Sequence, residues 1–326
     1  MRALRYEADR KAPRLWIDEV APPALHPGEV RIDVAASAIN RADLLQVRGL
    51  YPAPAGESEI PGLECAGTIV ELGEGVSRWK CGDRVMALLA GGGHAEQVVA
   101  PVGQLLRLPK SLELEEGAAI PEVAITAWTN LVREGEMEPG EAVLITAAAS
   151  GVGTFAVQLA FELGARVFVA GRKRDRLEEL RRFGADLCLP LGEEMPRAIH
   201  RANGGEGVDL VIDLVGGEGF RHALASLRNG GRLVLVGILG GGDARVDLGE
   251  ILRRRLVIRG SVLRSRSRQE KADLVDGFCQ VAWSRLRDGR LRAVVDRVLP
   301  FEALPEAYRV LGEEEVLGKV VVSRAG

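Results

Sequence analysis

The segment Val143-Leu-Ile-Thr-Ala-Ala-Ala-Ser-Gly-Val-Gly153 constrains the fold of this chain more than any other. An apolar run of strand length ends in a turn of small residues, and the pattern over 154–163 is helical. Small residues in such a turn let backbone N–H groups approach a pyrophosphate at the positive end of a helix. Ala149 stands where the G-x-G-x-x-G fingerprint has its first glycine, so Gly151 and Gly153 supply only part of that motif. By itself the turn is equally well a structural one. Its position between a strand and a helix favours dinucleotide binding, with Ser150, Gly151 and Val152 as the phosphate contacts.

The rest of the sequence supplies a setting for that turn. From residue 141 onward, strand-length apolar runs at 142–147, 166–170, 187–189, 209–214 and 232–236 alternate with helical patterns, which predicts a doubly wound α/β domain with a parallel sheet. Before residue 123 the pattern is different: short strands at 2–6, 29–38, 64–72, 84–89 and 95–100, broken by Gly and Pro, predict a mostly β domain. Helices are expected to begin within 111–119 and to run over 123–133, with a later helix near 269–288 and a closing strand at 319–323. A chain of 326 residues exceeds one ordinary core, so two domains are expected. They are residues 1–124, to which 265–326 return, and the dinucleotide-binding domain 125–264.

Charge and composition exclude several classes of function. The formal net charge of −3 gives no general attraction to phosphate backbones, so nucleic acid is disfavoured as a partner. No apolar run approaches the roughly 20 residues that cross a bilayer, and residues 1–10 contain no apolar signal core, so the cytoplasm is the expected compartment. Cys65, Cys81, Cys188 and Cys279 are scattered without metal-site or disulfide spacing, and most are expected to be buried thiols.

The end of the second strand of the α/β domain selects the coenzyme. An acidic residue there ordinarily binds the ribose hydroxyls of NAD. This chain has Gly171-Arg-Lys-Arg174 and then Arg176, and the cations Arg172, Lys173 and Arg176 suit a 2′-phosphate, so NADPH is expected. The alternative is a solvated helix start.

Motifs across nearly the whole chain carry a resemblance. They are Ala38-Ile-Asn-Arg-Ala-Asp-Leu-Leu-Gln46 with Gly49-Leu-Tyr51, Pro61-Gly-Leu-Glu-Cys-Ala-Gly67, Gly82-Asp-Arg-Val85, Gly91-Gly-Gly-His-Ala-Glu96, Ala149-Ser-Gly-Val-Gly153, Gly230-Gly-Arg232, Gly260-Ser-Val-Leu-Arg264 and Gly318-Lys-Val320. Together they resemble the zinc-free, zeta-crystallin-like quinone oxidoreductases of the medium-chain dehydrogenase/reductase superfamily. The resemblance implies a GroES-like substrate domain, a Rossmann domain, and a homodimer or homotetramer. It implies no metal, because Asn40, Asp43 and Leu63 stand where zinc-dependent relatives carry ligands. It also implies Asn40 and Tyr51 at the reacting centre, and Thr126, Gly237 and Lys319 with Gly171 among the cofactor contacts.

A quinone or conjugated carbonyl accepts hydride without a Lewis acid, so alignment and stabilisation of the developing oxyanion suffice. NADPH:quinone reduction is the expected activity. An enal or enoyl double-bond reductase is the nearest alternative, and a nucleotide-binding protein with little turnover, RNA-linked through Arg253-Arg-Arg255 and Arg264-Ser-Arg-Ser-Arg268, is the more distant one. Tyr51 is equally readable as a packed loop ring, and Asn40 with Asp43 as a helix-capping pair, which for Asp43 is preferred. His94 has no ligand partner in the sequence and is given no role. Residues 187–192 lack the tyrosine with which relatives hold the adenosine phosphate.

Overall fold

The computed structural model describes residues 1–313 and 316–324. The chain forms two compact units, one from Met1–Ile125 together with the stretch from Leu263 onward, the other from Thr126–Val262.

The first unit opens with an antiparallel hairpin of β1 (Arg2–Glu7) and β2 (Arg14–Glu19). β2 is not apparent in the sequence because none of its residues is fully buried, which leaves its apolar alternation weak. β3 (Glu29–Ile39), α1 (Arg41–Val47), β4 (Glu64–Leu72), β5 (Arg84–Leu88), β6 (Gln97–Pro101) and β7 (Leu105–Arg107) follow. Along β3 burial first alternates and then becomes continuous over its last four residues, the signature of a strand covered on both faces at one end. α2 (Leu114–Ala118) is shorter than the sequence suggests. Its N-cap is Glu113 rather than Ser111, and the Glu116 carboxylate accepts the Glu113 N–H at 3.0 Å. α3 (Pro121–Trp128) starts two residues before the expected 123, because Pro in a first turn has no N–H to lose. It continues through Thr129–Arg133 with wider turns, in which the Glu134 N–H reaches the Thr129 carbonyl.

The second unit contains β8 (Ala142–Ile145), α4 (Gly151–Glu162), β9 (Arg166–Gly171), α5 (Arg174–Glu178), β10 (Ala185–Pro190), α6 (Met195–Ala202), β11 (Val208–Asp213), α7 (Gly217–Ala225), β12 (Leu227–Leu235), α8 (Leu248–Arg254) and β13 (Val257–Gly260). All neighbouring strands are parallel, in the order β10-β9-β8-β11-β12-β13, which reverses direction at β8 as a doubly wound Rossmann sheet does. Leu144, Phe168, Val211 and Leu233 from the sheet pack with Ile199, Phe220 and Leu224 from its helices. Each such side chain contributes roughly 1.5–3 kcal/mol on burial. β13 is an edge strand, and Val257 and Ile258 are exposed on it, as are Leu248 and Leu252 on α8.

The chain then returns to the first unit with α9 (Arg268–Arg287), β14 (Val295–Pro300), α10 (Leu304–Glu313) and β15 (Lys319–Ser323). Ser267 opens α9 with a capping box: its N–H is held by Glu270 Oε2 at 2.9 Å, and its Oγ accepts the Glu270 N–H at 3.2 Å. β15 inserts between β14, to which it is parallel, and β3, to which it is antiparallel, completing a seven-stranded GroES-like sheet.

Candidate functional site

The turn after β8 is built to hold backbone N–H groups open. Ser150 caps α4, accepting the Gly153 N–H on Oγ at 3.1 Å, so the helix begins at Gly151, three residues before the expected start. Gly151 and Val152 are therefore its first two residues, whose N–H groups have no acceptor within the helix and lie at its positive end. A Cβ on Gly153 would stand 2.6 Å from Ala148 Cα and 2.7 Å from the Ala147 carbonyl oxygen, and Ala147 itself has φ of 45°. Only glycine fits where the helix packs this closely on the turn.

A second device fixes the rim of the sheet beside that turn. Asp213, the last residue of β11, accepts from Thr146 Oγ1 at 2.7 Å and from the N–H groups of Val215 and Gly216 at 3.0 and 3.2 Å. Burial pushes its carboxyl above the usual range, and these three donors work against that shift. Its main-chain carbonyl accepts from Val236 at 2.8 Å and from Gly237 at 3.3 Å, so one residue ties the carboxyl ends of β8, β11 and β12. Asp213 has no role legible from the sequence alone, where its one signal is an acidic residue closing an otherwise apolar strand. At the end of β9, Gly171 leads into exposed Arg172 and Lys173, while Arg176 is half-buried and pairs with Glu179 at 3.1 Å. Arg172 makes no hydrogen bond or ion pair among the described residues.

In the first unit a buried polar cluster surrounds Asn40. Asn40 caps α1, and Asp43 Oδ2 accepts its N–H at 2.8 Å, which is the capping role expected of Asp43. Asp43 Oδ1 accepts the Gly62 N–H at 2.9 Å. Gly62 has φ of 106°, and a Cβ there would stand 2.4 Å from the His94 nitrogen. Burial alone would raise the Asp43 carboxyl, but His94 and the two N–H groups hold it below its usual value. His94 is fully buried, with Nδ1 2.9 Å from Ser37 Oγ and Nε2 3.8 Å from Asp43, so it belongs to the scaffold.

The Asn40 side chain does not stand free. Its Nδ2 donates to Glu64 Oε1 at 2.9 Å, and its Oδ1 accepts from Lys319 Nζ at 2.6 Å. Lys319 also reaches Glu64 Oε1 at 2.6 Å, and Glu64 Oε2 accepts the Glu122 N–H at 2.9 Å. Neither Glu64 nor Glu122 stands out as a site residue in the sequence alone. Their signals were a carboxylate inside the apolar run Pro61-Gly-Leu-Glu-Cys-Ala-Gly67 and a Pro-Glu pair at a helix start. Two of the three Lys319 donors are taken within this unit.

Tyr51 is half-buried under a guanidinium. Arg264 lies 5.4 Å over its ring and donates to the Tyr51 carbonyl at 3.2 Å, to the Ala90 carbonyl at 2.8 Å and to Gln46 Oε1 at 2.6 Å. Burial raises the phenol's pKa, Arg264 opposes the shift and Glu122 adds to it. The Tyr51 hydroxyl makes no hydrogen bond among the described residues. Thr126, in the second unit, is buried, and its carbonyl accepts from Asn130 Nδ2 at 2.7 Å.

This donor set does not fit zinc. Leu63 offers no lone pair, and the oxygens of Asn40 and Glu64 that face each other are already bridged by an ammonium. Among the described residues no three His, Cys, Asp or Glu are grouped to hold a metal ion. The four cysteines are free; Cys65 and Cys188 are buried, Cys279 is half-buried and Cys81 is exposed, contrary to the expectation that most would be buried. Arg264 is only 3% exposed, which removes it from the basic run proposed for RNA contact, and Arg268 is paired with Glu29 at 2.7 Å.

Residues 26–110 match the family model of the alcohol dehydrogenase GroES-like domain, and residues 151–277 match that of zinc-binding dehydrogenases. Quinone oxidoreductase-like protein 2 of Bos taurus is 32% identical over 97% of this chain and 90% of its own length. Among solved structures, a quinone oxidoreductase from Thermus thermophilus, studied also in complex with NADPH, superposes with a TM-score of 0.84 at 34% identity, covering 99% of this chain and 100% of that one. The CurK enoyl reductase superposes with a TM-score of 0.85 at 28% identity over 99% and 98% of the two chains.

Proposed function

Because this chain belongs to the medium-chain dehydrogenase/reductase superfamily, as a quinone oxidoreductase-like member, we propose that it transfers hydride from NADPH to a quinone without a metal. A nicotinamide dinucleotide fits the second unit, where the N-terminus of α4 receives the pyrophosphate at Ser150, Gly151 and Val152. The observation that carries the choice of NADPH is the set of cations after β9. Arg172 and Lys173 are exposed where a carboxylate would bind the ribose of NAD, and Arg172 has no partner among the described residues to compete with a 2′-phosphate. Exchanging Arg172 and Arg176 for Ala raises the Michaelis constant for NADPH about tenfold or more and leaves that for NADH nearly unchanged. Steady-state kinetics with both coenzymes decide this, and equal effects on the two would remove the phosphate role.

Acceptor chemistry needs no Lewis acid here. The Tyr51 phenol, whose hydroxyl makes no hydrogen bond among the described residues and whose ring lies under Arg264, would donate to an acceptor oxygen. Tyr51→Phe lowers kcat with a small quinone about tenfold, the worth of one hydrogen bond of about 1.4 kcal/mol. Unchanged turnover would show that the phenol only packs.

An enoyl or enal reductase is the second reading, favoured by the likeness to the CurK enoyl reductase. Initial rates with quinones, 2-alkenals and enoyl thioesters under the same NADPH separate the two. The exposed apolar edge formed by β13 and α8 supports a homodimer that covers it, and a monomeric mass in solution would exclude that assembly.

A further inference from the structure

We propose that Glu122 is a catalytic acid, whose carboxyl group protonates the acceptor as hydride arrives and is reprotonated by water between turnovers. The role rests on the reductase reading above. Bound reduced nicotinamide would supply the hydride. Hydride addition to a quinone or conjugated carbonyl leaves one negative charge on the acceptor oxygen. The Glu122 O–H bond breaks as the new O–H bond forms, Glu122 is left as a carboxylate, and a proton from water restores it. The sum consumes one reduced coenzyme and one proton for each acceptor reduced.

Three carboxylates share this cluster, and only one is uncommitted. Asp43 is fully buried and accepts two backbone N–H groups, and Glu64 is fully buried and accepts from Asn40, Lys319 and the Glu122 N–H. Glu122 is held by that N–H at the first turn of α3. The residue is half-buried, and its carboxyl makes no hydrogen bond or ion pair among the described residues.

The groups that face Glu122 come from every element packed around it: Glu64 from β4, Lys319 from β15, Asp43 from α1 and Lys271 from α9, with Tyr51 in electrostatic reach. Burial first, and then the negative charge of Glu64, push the Glu122 carboxyl up to about 8, while Lys319 and Lys271 oppose the shift. A carboxylic acid at neutral pH is the state a proton donor needs.

Lys271 is the second observation. It is 2% exposed, yet its ammonium has no hydrogen bond or ion pair among the described residues, and burial lowers its pKa while Glu57 and Glu122 raise it. A cation beside a carboxyl favours its charged form, so Lys271 stabilises the carboxylate that Glu122 becomes when it gives up its proton.

The test compares wild type with Glu122→Gln and Glu122→Asp, each checked for NADPH binding by fluorescence. Glu122→Gln is expected to lose on the order of 100-fold in kcat, as the removal of a general acid does, with NADPH affinity unchanged, and Glu122→Asp to recover much of the loss. In wild type kcat falls as pH rises through about 8, and in Glu122→Gln that limb is absent. Infrared spectra of the coenzyme-free protein should show a protonated carboxyl band that titrates in the same range and is missing from Glu122→Gln. Wild-type kcat in Glu122→Gln with the alkaline limb intact, or no such band, overturns the proposal. If wild type itself reduces neither quinones nor enals, the reductase reading fails and takes the acid role with it, and the infrared band then reports only an idle carboxyl.

Discussion

Lys319→Met, which keeps most of the side chain's bulk and removes its charge, lowers the free energy of unfolding by about 3–5 kcal/mol. The magnitude follows from what is left behind. Lys319 is 3% exposed and Glu64 is 0% exposed, so removing the ammonium strands a carboxylate that water cannot reach. Asn40 also loses the partner of its Oδ1, which had been 2.6 Å away. The same reasoning makes the double variant Lys319→Met with Glu64→Gln recover part of the loss, because a neutral amide leaves no stranded charge, while its single oxygen replaces only one of the two that accept from Asn40 Nδ2 and the Glu122 N–H. Urea unfolding at neutral pH measures both. A single-variant loss below about 1 kcal/mol would mean that the pair is hydrated in solution and behaves as a surface ion pair.

Gly153→Ala is expected to weaken NADPH binding tenfold or more and to destabilise the second unit by about 1–3 kcal/mol. One methyl group is enough because its nearest neighbours would be backbone atoms, Ala148 Cα at 2.6 Å and the Ala147 carbonyl oxygen at 2.7 Å, and backbone cannot swing aside as a side chain can. Relief requires α4 to move away from the turn, and its movement carries the Gly151 and Val152 N–H groups off the position proposed above for the phosphate. Calorimetric titration with NADPH, beside a thermal melt, reads the two effects. Wild-type affinity in a fully folded variant would show that the helix start does not set phosphate binding.

These two sites also show what local sequence can and cannot reveal. The Asn40–Asp43 cap and the strand, turn and helix around Gly151 are legible because their partners lie within a few residues, where spacing alone fixes geometry. The start of α4 is off by three residues because a capping serine gives the helix to the glycines that follow it. Glu64 and Lys319 are 255 residues apart, and no periodicity relates them; their pairing exists only because β15 and β4 both flank β3. Glu122 is obscured in another way. A Pro-Glu step ordinarily signals a helix start on the surface, and nothing local says that the surface at this point is already lined by Glu64 and Asp43. His94 and Arg264 look like exposed polar residues in sequence and are interior ones in the fold, because each finds its partners far along the chain.

The position of β15 has a consequence for biosynthesis. Residues 126–262 form a continuous unit and can fold as they leave the ribosome, but the sheet of the other unit is interrupted by that whole insertion. Residues 36–39 of β3 pair with β15, so this stretch of edge stays open until β15 has been translated. With 255 residues separating Glu64 from Lys319, and synthesis at roughly 5–20 residues per second, the gap is about 13–50 s. Throughout that interval an apolar strand edge is available to other nascent chains, and the Glu64 carboxylate has no cation to allow its burial. Vectorial synthesis thus leaves the two halves of this protein at different stages of folding, and the first half made is the last to become native.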